Sequence, residues 1–170
     1  MRDFKLILVS IIIALSFGTL AVAETITVTT KNVRVVDGDS LSVKYKGRTI
    51  KTRSSCIDTP EKARYGTYED KQHGKIASQF VSDLIGQFKY LQLDLSGQDR
   101  YKRFITTVYG IKGNQKYNIN LITVQEGYAY VYKKYCKDKD YYRAFEQAKV
   151  NKKGLFALNM REPSKVRRGK

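Results

Sequence analysis

Acidic and guanidinium side chains crowd into two short stretches of this chain. The first is Val36-Asp37-Gly38-Asp39-Ser40, followed by Arg53-Ser54-Ser55-Cys56-Ile57-Asp58-Thr59-Pro60-Glu61; the second is Asp99-Arg100-Tyr101-Lys102-Arg103. Carboxylates set close together can bind a hard cation through oxygen or take a proton from water, and a guanidinium fork can hold two phosphate oxygens at once. Composition leaves few other chemistries. A single histidine, His73, excludes a catalytic histidine pair and a metal site built from several imidazoles. Two cysteines cannot make a four-cysteine zinc site or a disulfide-dense scaffold. Against 16 Asp and Glu stand 32 Lys and Arg, a formal charge of +16 that points to a polyanionic partner. Taken singly, each motif has a plainer reading: Asp37-Gly38-Asp39 as a turn before a strand, Asp58-Thr59-Pro60-Glu61 as a helix cap with an acidic first turn, Arg53 and Arg103 as surface residues on strands.

To bring these groups together the chain must place them at the ends of strands. Thr25–Val28, Val33–Val36 and Leu41–Tyr45 alternate apolar with polar residues, and Lys46-Gly47 is a two-residue turn that returns Arg48–Ile57 as a third strand. That turn pairs Tyr45 with Arg48 and sets Asp39 opposite Ser54. On regular strands Asp39 and Arg53 would then face opposite sides, so their convergence requires a strand end, a bulge or strong twist. Residues 62–72 are polar and aperiodic and read as an exposed loop. Ile76, Phe80, Leu84, Ile85 and Phe88 recur at helical spacing over Gly74–Phe88. Two more strands fit Tyr90–Leu95 and Arg103–Ile111, joined through residues 96–99. Short helices fit Asn118–Glu126, closed by Gly127, and Asp140–Lys153, closed by Gly154. Three strands, a helix, two strands and then helices is the order of a five-stranded, partly open oligonucleotide-binding (OB-fold) barrel with about three helices, an α+β arrangement.

Residues 1–23 read as a secretory signal peptide. Arg2 and Lys5 precede an apolar run from Leu6 to Leu20, and Ala21-Val22-Ala23 offers a cleavage site before the abrupt change to Glu24-Thr25-Ile26-Thr27. Its removal would take away only Arg2, Lys5 and Asp3 among charged residues, so the basic excess belongs to the mature chain. Residues 24–160 form the single expected domain, and 161–170 a basic tail expected to be disordered. An exported chain can oxidise its thiols, which leaves both a Cys56–Cys136 bridge and two buried free thiols open.

The combination of motifs resembles the staphylococcal nuclease (thermonuclease) family from about Val33 to Leu158. V-V-D-G-D-S, R-x-x-x-I-D-T-P-E, Gln72-His73-Gly74-Lys75-Ile76-Ala77, D-R-Y-K-R and Gly127-Tyr128-Ala129-Tyr130-Val131-Tyr132 recur in order. The intervals from Asp39 to Arg53 and from Arg53 to Asp58 also match. The resemblance implies that Asp39, Asp58 and the Thr59 carbonyl hold a calcium ion. It implies that Glu61 is the general base toward the attacking water, that Arg53 and Arg103 grip the scissile phosphate, and that Tyr101, Tyr130 and Tyr132 line the nucleotide pocket. Three carboxylates against two guanidiniums leave a net negative site that would repel a phosphodiester. A dication reverses that sign and favours the more highly charged transition state. Ser54, Ser55 and Cys56 depart from the apolar or glycine residues usual in that stretch, and Lys102 stands in place of a usual glycine.

The expectation is therefore an exported, secreted or periplasmic, calcium-dependent nuclease. It would be a monomer without stable membrane insertion after signal cleavage. It would hydrolyse DNA and RNA without strong sequence specificity and leave 3′-phosphate and 5′-hydroxyl ends. The alternative is an OB-fold barrel that binds nucleic acid without turnover.

Overall fold

A computed structural model describes residues 24–169; the expected signal peptide, residues 1–23, lies outside the described residues. Nine strands and four α-helices follow one another in the order β1 (Glu24–Thr29), β2 (Val33–Asp37), β3 (Ser40–Tyr45), β4 (Arg48–Ser54), β5 (Ile57–Asp58), α1 (Tyr68–Gly86), β6 (Tyr90–Gln98), β7 (Phe104–Lys112), β8 (Gln115–Asn118), α2 (Ile119–Gln125), β9 (Tyr130–Val131), α3 (Lys139–Val150) and α4 (Pro163–Val166). The main sheet runs β1-β6-β7-β4-β3-β2, with β8 added to β7. Its outer members, β1 and β2, are consecutive pieces of chain separated by one 3₁₀ turn at Thr30–Asn32. The two edges of the sheet are thus one kinked strand, and the sheet must curl on itself as a five-stranded barrel: β1 with β2, β3, β4, β6 and β7. All its pairings are antiparallel except β4 with β7, where Arg53 lies beside Ile105.

Alternation on these strands fills the barrel. Ile26 and Val28, Leu41 and Val43, Leu91, Leu93 and Leu95, and Val108 point inward, and α1 closes one end with Val81, Leu84 and Ile85, joined by Phe88 just after the helix. Each such side chain contributes roughly 1.5–3 kcal/mol by leaving water. A second cluster joins Ile57, Val124, Val131, Tyr141, Ala144 and Phe145, fastening α2 and α3 to the small β5–β9 ladder. Lys46 and Gly47 both take positive φ, 47° and 74°, and Tyr45 pairs with Arg48 as the spacing requires.

Three differences from the sequence reading have local causes, and one pairing left open is found formed. Helix α1 begins at Tyr68, inside the stretch read as a loop. Thr67 caps it by accepting from the Asp70 N–H while the Asp70 carboxylate accepts from the Thr67 N–H at 2.7 Å, so a polar first turn forms without apolar periodicity. Helix α3 stops at Val150, not Lys153, because Asn151 caps it and Lys152 turns left-handed. Cys56 and Cys136 are joined by a disulfide. The basic tail is not disordered over 161–169: a fourth helix, α4, starts on Pro163, which is buried, and Arg161 forms an ion pair with the buried Asp70.

Candidate active site

The far end of the β3–β4 hairpin is where charge gathers. The Ser54 N–H donates to the Asp39 carbonyl at 2.7 Å, so Asp39 sits opposite Ser54. The pairing shifts by a bulge between Val35 and Asp37, which re-aims the β2–β3 corner. After Ser55 the chain leaves the barrel: Cys56 adopts φ 64° and turns β5 aside to pair with β9. That bend returns Asp58 toward Arg53, the convergence that regular strands could not give. Arg53 Nη2 donates to Asp58 Oδ1 at 2.8 Å, and Nη1 is paired with Asp39 Oδ1.

Two glycines allow the acidic loop to approach closely. A Cβ on Gly38 would fall 2.9 Å from Thr59 Cγ2, and one on Gly74 would fall 2.4 Å from the Glu61 carbonyl carbon. The first glycine lets the Asp39 corner touch Thr59, whose N–H and hydroxyl both donate to Asp39 Oδ2, at 2.8 and 2.9 Å. The second lets α1 carry the backbone of Glu61, which explains why glycine follows His73 in that helix. Behind the site, buried Asn120 on α2 donates to the Ser55 and Thr106 carbonyls and accepts from the Val108 N–H, pinning β7 to the start of the bend.

Electrostatics separate the acids. Burial pushes the Asp39 carboxyl up, but Arg53 and the donors from Thr59 and Ser40 outweigh it and hold Asp39 below the ordinary range. Glu61 lies the other way: burial, then the charges of Asp39 and Asp37, raise its pKa against the opposing pull of Arg167 and Arg53. Asp37 is raised as well, by burial and by Asp39. Asp39 is therefore firmly an anion, while Glu61 is a carboxylate with enhanced proton affinity.

Arg103 occupies the neighbouring β6–β7 turn. Asp99 shapes that turn and also holds the arginine, accepting from its Nε at 2.9 Å and its Nη2 at 2.7 Å. Lys102, standing where a glycine is usual, takes φ 59° there. Tyr101 is exposed, with the guanidinium groups of Arg100 and Arg103 over its ring at 4.8 and 5.4 Å. Tyr132 meets Tyr135 edge-on, and its N–H donates to the Cys56 carbonyl. Tyr130 is committed inward: its ring packs on Phe145 and Phe156, and its hydroxyl donates to the Met160 carbonyl. His73 is buried and lines a small pocket together with Glu61, Asp70, Arg161 and Arg167.

Sequence reasoning missed one participant. Arg167, just past α4, places Nη2 2.6 Å from Asp58 Oδ2 and 2.9 Å from Oδ1, with Nη1 3.6 Å from Glu61 Oε1. The signal was Glu162-Pro163, a proline in the position that starts a helix, inside a segment otherwise read only for its charge.

Among the described residues no three Asp, Glu, His or Cys side chains converge as a ready-made metal cage. Two buried carboxylates, Asp39 and Asp58, bridged by one guanidinium, nevertheless supply the hard oxygen donors that calcium or magnesium takes together with carbonyls and water. The donor set fits such an ion.

An oligonucleotide-binding barrel that sets carboxylates and arginines side by side at its strand ends defines a class, the barrel nucleases, which are hydrolases. A family model described as staphylococcal nuclease homologue matches residues 51–157, and the chain belongs to that family. It is 37% identical over 170 residues to an "Uncharacterized endonuclease" of Haemophilus influenzae, covering 99% of this chain and 88% of that protein. A "Micrococcal nuclease" of Shigella flexneri is 35% identical over 144 residues, 80% of this chain and 78% of its own. A "Thermonuclease" of Staphylococcus hyicus is 35% identical over 121 residues, 71% and 68% of the two chains.

Proposed function

We propose that the chain is an exported nuclease that hydrolyses DNA and RNA with calcium as its ion and leaves 3′-phosphate and 5′-hydroxyl ends. The observation that carries this reading is the buried Asp39–Arg53–Asp58 cluster with Glu61 beside it. Asp39, Asp58 and the Thr59 carbonyl would hold the ion. When bound, it supplies the positive charge that offsets the acids and draws in a phosphodiester. Glu61, with its raised proton affinity, accepts a proton from water. Arg53, whose two Nη groups lie on Asp39 and Asp58, and Arg103, whose Nε and Nη2 lie on Asp99, would turn their remaining N–H donors to the phosphate as charge grows on its oxygens. Tyr101 and Tyr132 offer faces on which bases stack without regard to sequence, and Tyr130 backs that wall. Among the described residues no helix is long and apolar enough to cross a membrane.

Digestion of plasmid and RNA by the purified chain, with calcium and again with chelator, tests the reading. Cleavage with calcium alone is expected, with Glu61→Ser and Arg103→Ala each lowering turnover by roughly 10²–10³. Binding of nucleic acid without cleavage would favour the inactive barrel, and full activity in both variants would refute the residue assignments.

A further inference from the structure

Every oxygen of the two buried acids is engaged, but not equally. Asp39 Oδ1 meets Arg53 Nη1 and the Ser40 hydroxyl, and Asp39 Oδ2 accepts twice from Thr59. Asp58 Oδ1 accepts from Arg53 and Arg167. Asp58 Oδ2 accepts from Arg167 alone among the described residues. The oxygen most easily given to a metal is therefore the one that Arg167 holds.

The two guanidiniums on Asp58 also differ in how they are mounted. Arg53 belongs to a barrel strand, bridges both acids and reaches the Ile57 carbonyl. Arg167 is reached only through a four-residue helix, follows it directly and is twice as exposed, at 24%. Its Nη1 is buried with no hydrogen-bond partner among the described residues, 3.6 Å from Glu61. An unmet buried donor costs free energy in the place Arg167 occupies, whereas both Nη groups of Arg53 are bonded to acids. Of the two cations on Asp58, Arg167 is the one able to leave.

We propose that Arg167 is a further residue of the active site, an internal cation that shares Asp58 with the divalent ion in mutual exclusion and so sets the affinity for that ion. This rests on the assignment of Asp58 as a metal ligand. Without the ion, Arg167 balances the charge of Asp58 and Glu61, which burial would otherwise make costly. With the ion bound, the guanidinium must withdraw from Asp58 Oδ2, and its fork stays within reach of Glu61 or of an incoming phosphate. Arg167 acts through Asp58 and is a positioning residue.

Calorimetric titration of calcium alone, without nucleic acid, into the purified chain reads this directly. Arg167→Gln removes the competing charge and leaves a shorter, neutral polar side chain, and calcium should bind about tenfold tighter, the worth of one charge-assisted contact. Arg167→Lys should fall between Gln and the parent. A residue that merely braced Asp58 would give the opposite sign on removal, so unchanged or weaker binding in Arg167→Gln overturns the proposal. Should that variant fail to fold, Arg167→Met, which keeps the aliphatic stem in the full chain without the charge, is read for the same two outcomes. Absence of calcium binding in both parent and Arg167→Gln would sink the metal assignment itself, whereas parent-like binding in the variant sinks only the role of Arg167.

Discussion

Removing the Cys56–Cys136 bridge should lower stability and loosen the site by separate routes. The bridge spans a sequence separation of 80 residues. Closing a loop of that length removes about 4.5 kcal/mol of chain entropy from the unfolded state. For a domain of this size that corresponds to a fall in midpoint of roughly 10–15 °C. Cys56→Ala with Cys136→Ala is the suitable pair, because alanine meets the same left-handed backbone at position 56 that cysteine does. The local route concerns β5, held to β9 by only two residue pairs, Ile57 with Val131 and Asp58 with Tyr130, plus the Tyr132 N–H on the Cys56 carbonyl. Without the bridge this seam should open first, and calcium-dependent turnover should drop at temperatures where the barrel is still folded. Circular dichroism melts of the parent with and without reductant, beside the double variant, give the assay. Reduced parent and variant should melt together, well below the oxidised parent. Coincident midpoints for all three would refute the loop-entropy reasoning and the claim that the bridge supports the site.

Two other outcomes follow from the titrating groups. Burial and the charges of Asp39 and Asp37 raise the Glu61 pKa in the ion-free chain, so its carboxyl should titrate above the ordinary glutamate value by NMR without calcium, and calcium should bring it down. A Glu61 titration at or below that value without calcium, or one that calcium leaves in place, would contradict the placement of Glu61 beside the acids. Asp70 ties the tail to α1, held far below its ordinary pKa chiefly by Arg161, so Asp70→Asn should cost about 1–3 kcal/mol at neutral pH. Because the folded pKa is depressed, this contribution is complete above the unfolded carboxylate value and shrinks as pH falls toward the folded one. Urea denaturation at pH 7 and pH 3 should show the gap between parent and variant narrowing, and an equal gap at both would refute the linkage.

Much of the barrel was legible because its signals are local. Period-two alternation set β1, β3, β6 and β7, and the positive φ at Lys46 and Gly47 set the register that brings Asp39 level with Ser54. What stayed hidden depends on distance along the chain. The first turn of α1 has no apolar face and announces itself only through Thr67 and Asp70. Strands β8 and β9 are too short to carry a period, and β9 exists because β5 needs a partner. Pairing of Cys56 with Cys136 could not be inferred from two positions 80 residues apart. Arg167 lies 109 residues from Asp58, and among so many basic residues nothing in its type distinguishes it from a solvated charge.

The parts that were hard to read converge on one piece of chain. Asp39 and Arg53 stand on the barrel, whose ladders and apolar interior hold them at little added cost. Asp58, Thr59 and Glu61 do not: β5 is two residues long and has left the main sheet. Gly74 of α1 carries its far end, the disulfide and β9 carry its near end, and Arg167 reaches its middle from the tail. Of these four supports the bridge is covalent, the helix contact and the β9 ladder are backbone packing and pairing, and the fourth is a side chain with an unused donor. Asp39 and Arg53 thus stand on or beside the barrel strands, while Asp58 and Glu61 stand on a segment braced from outside the main sheet. In that division the OB fold supplies stability, and on the reading proposed for Arg167 the segments added around it set how readily Asp58 is given to an ion.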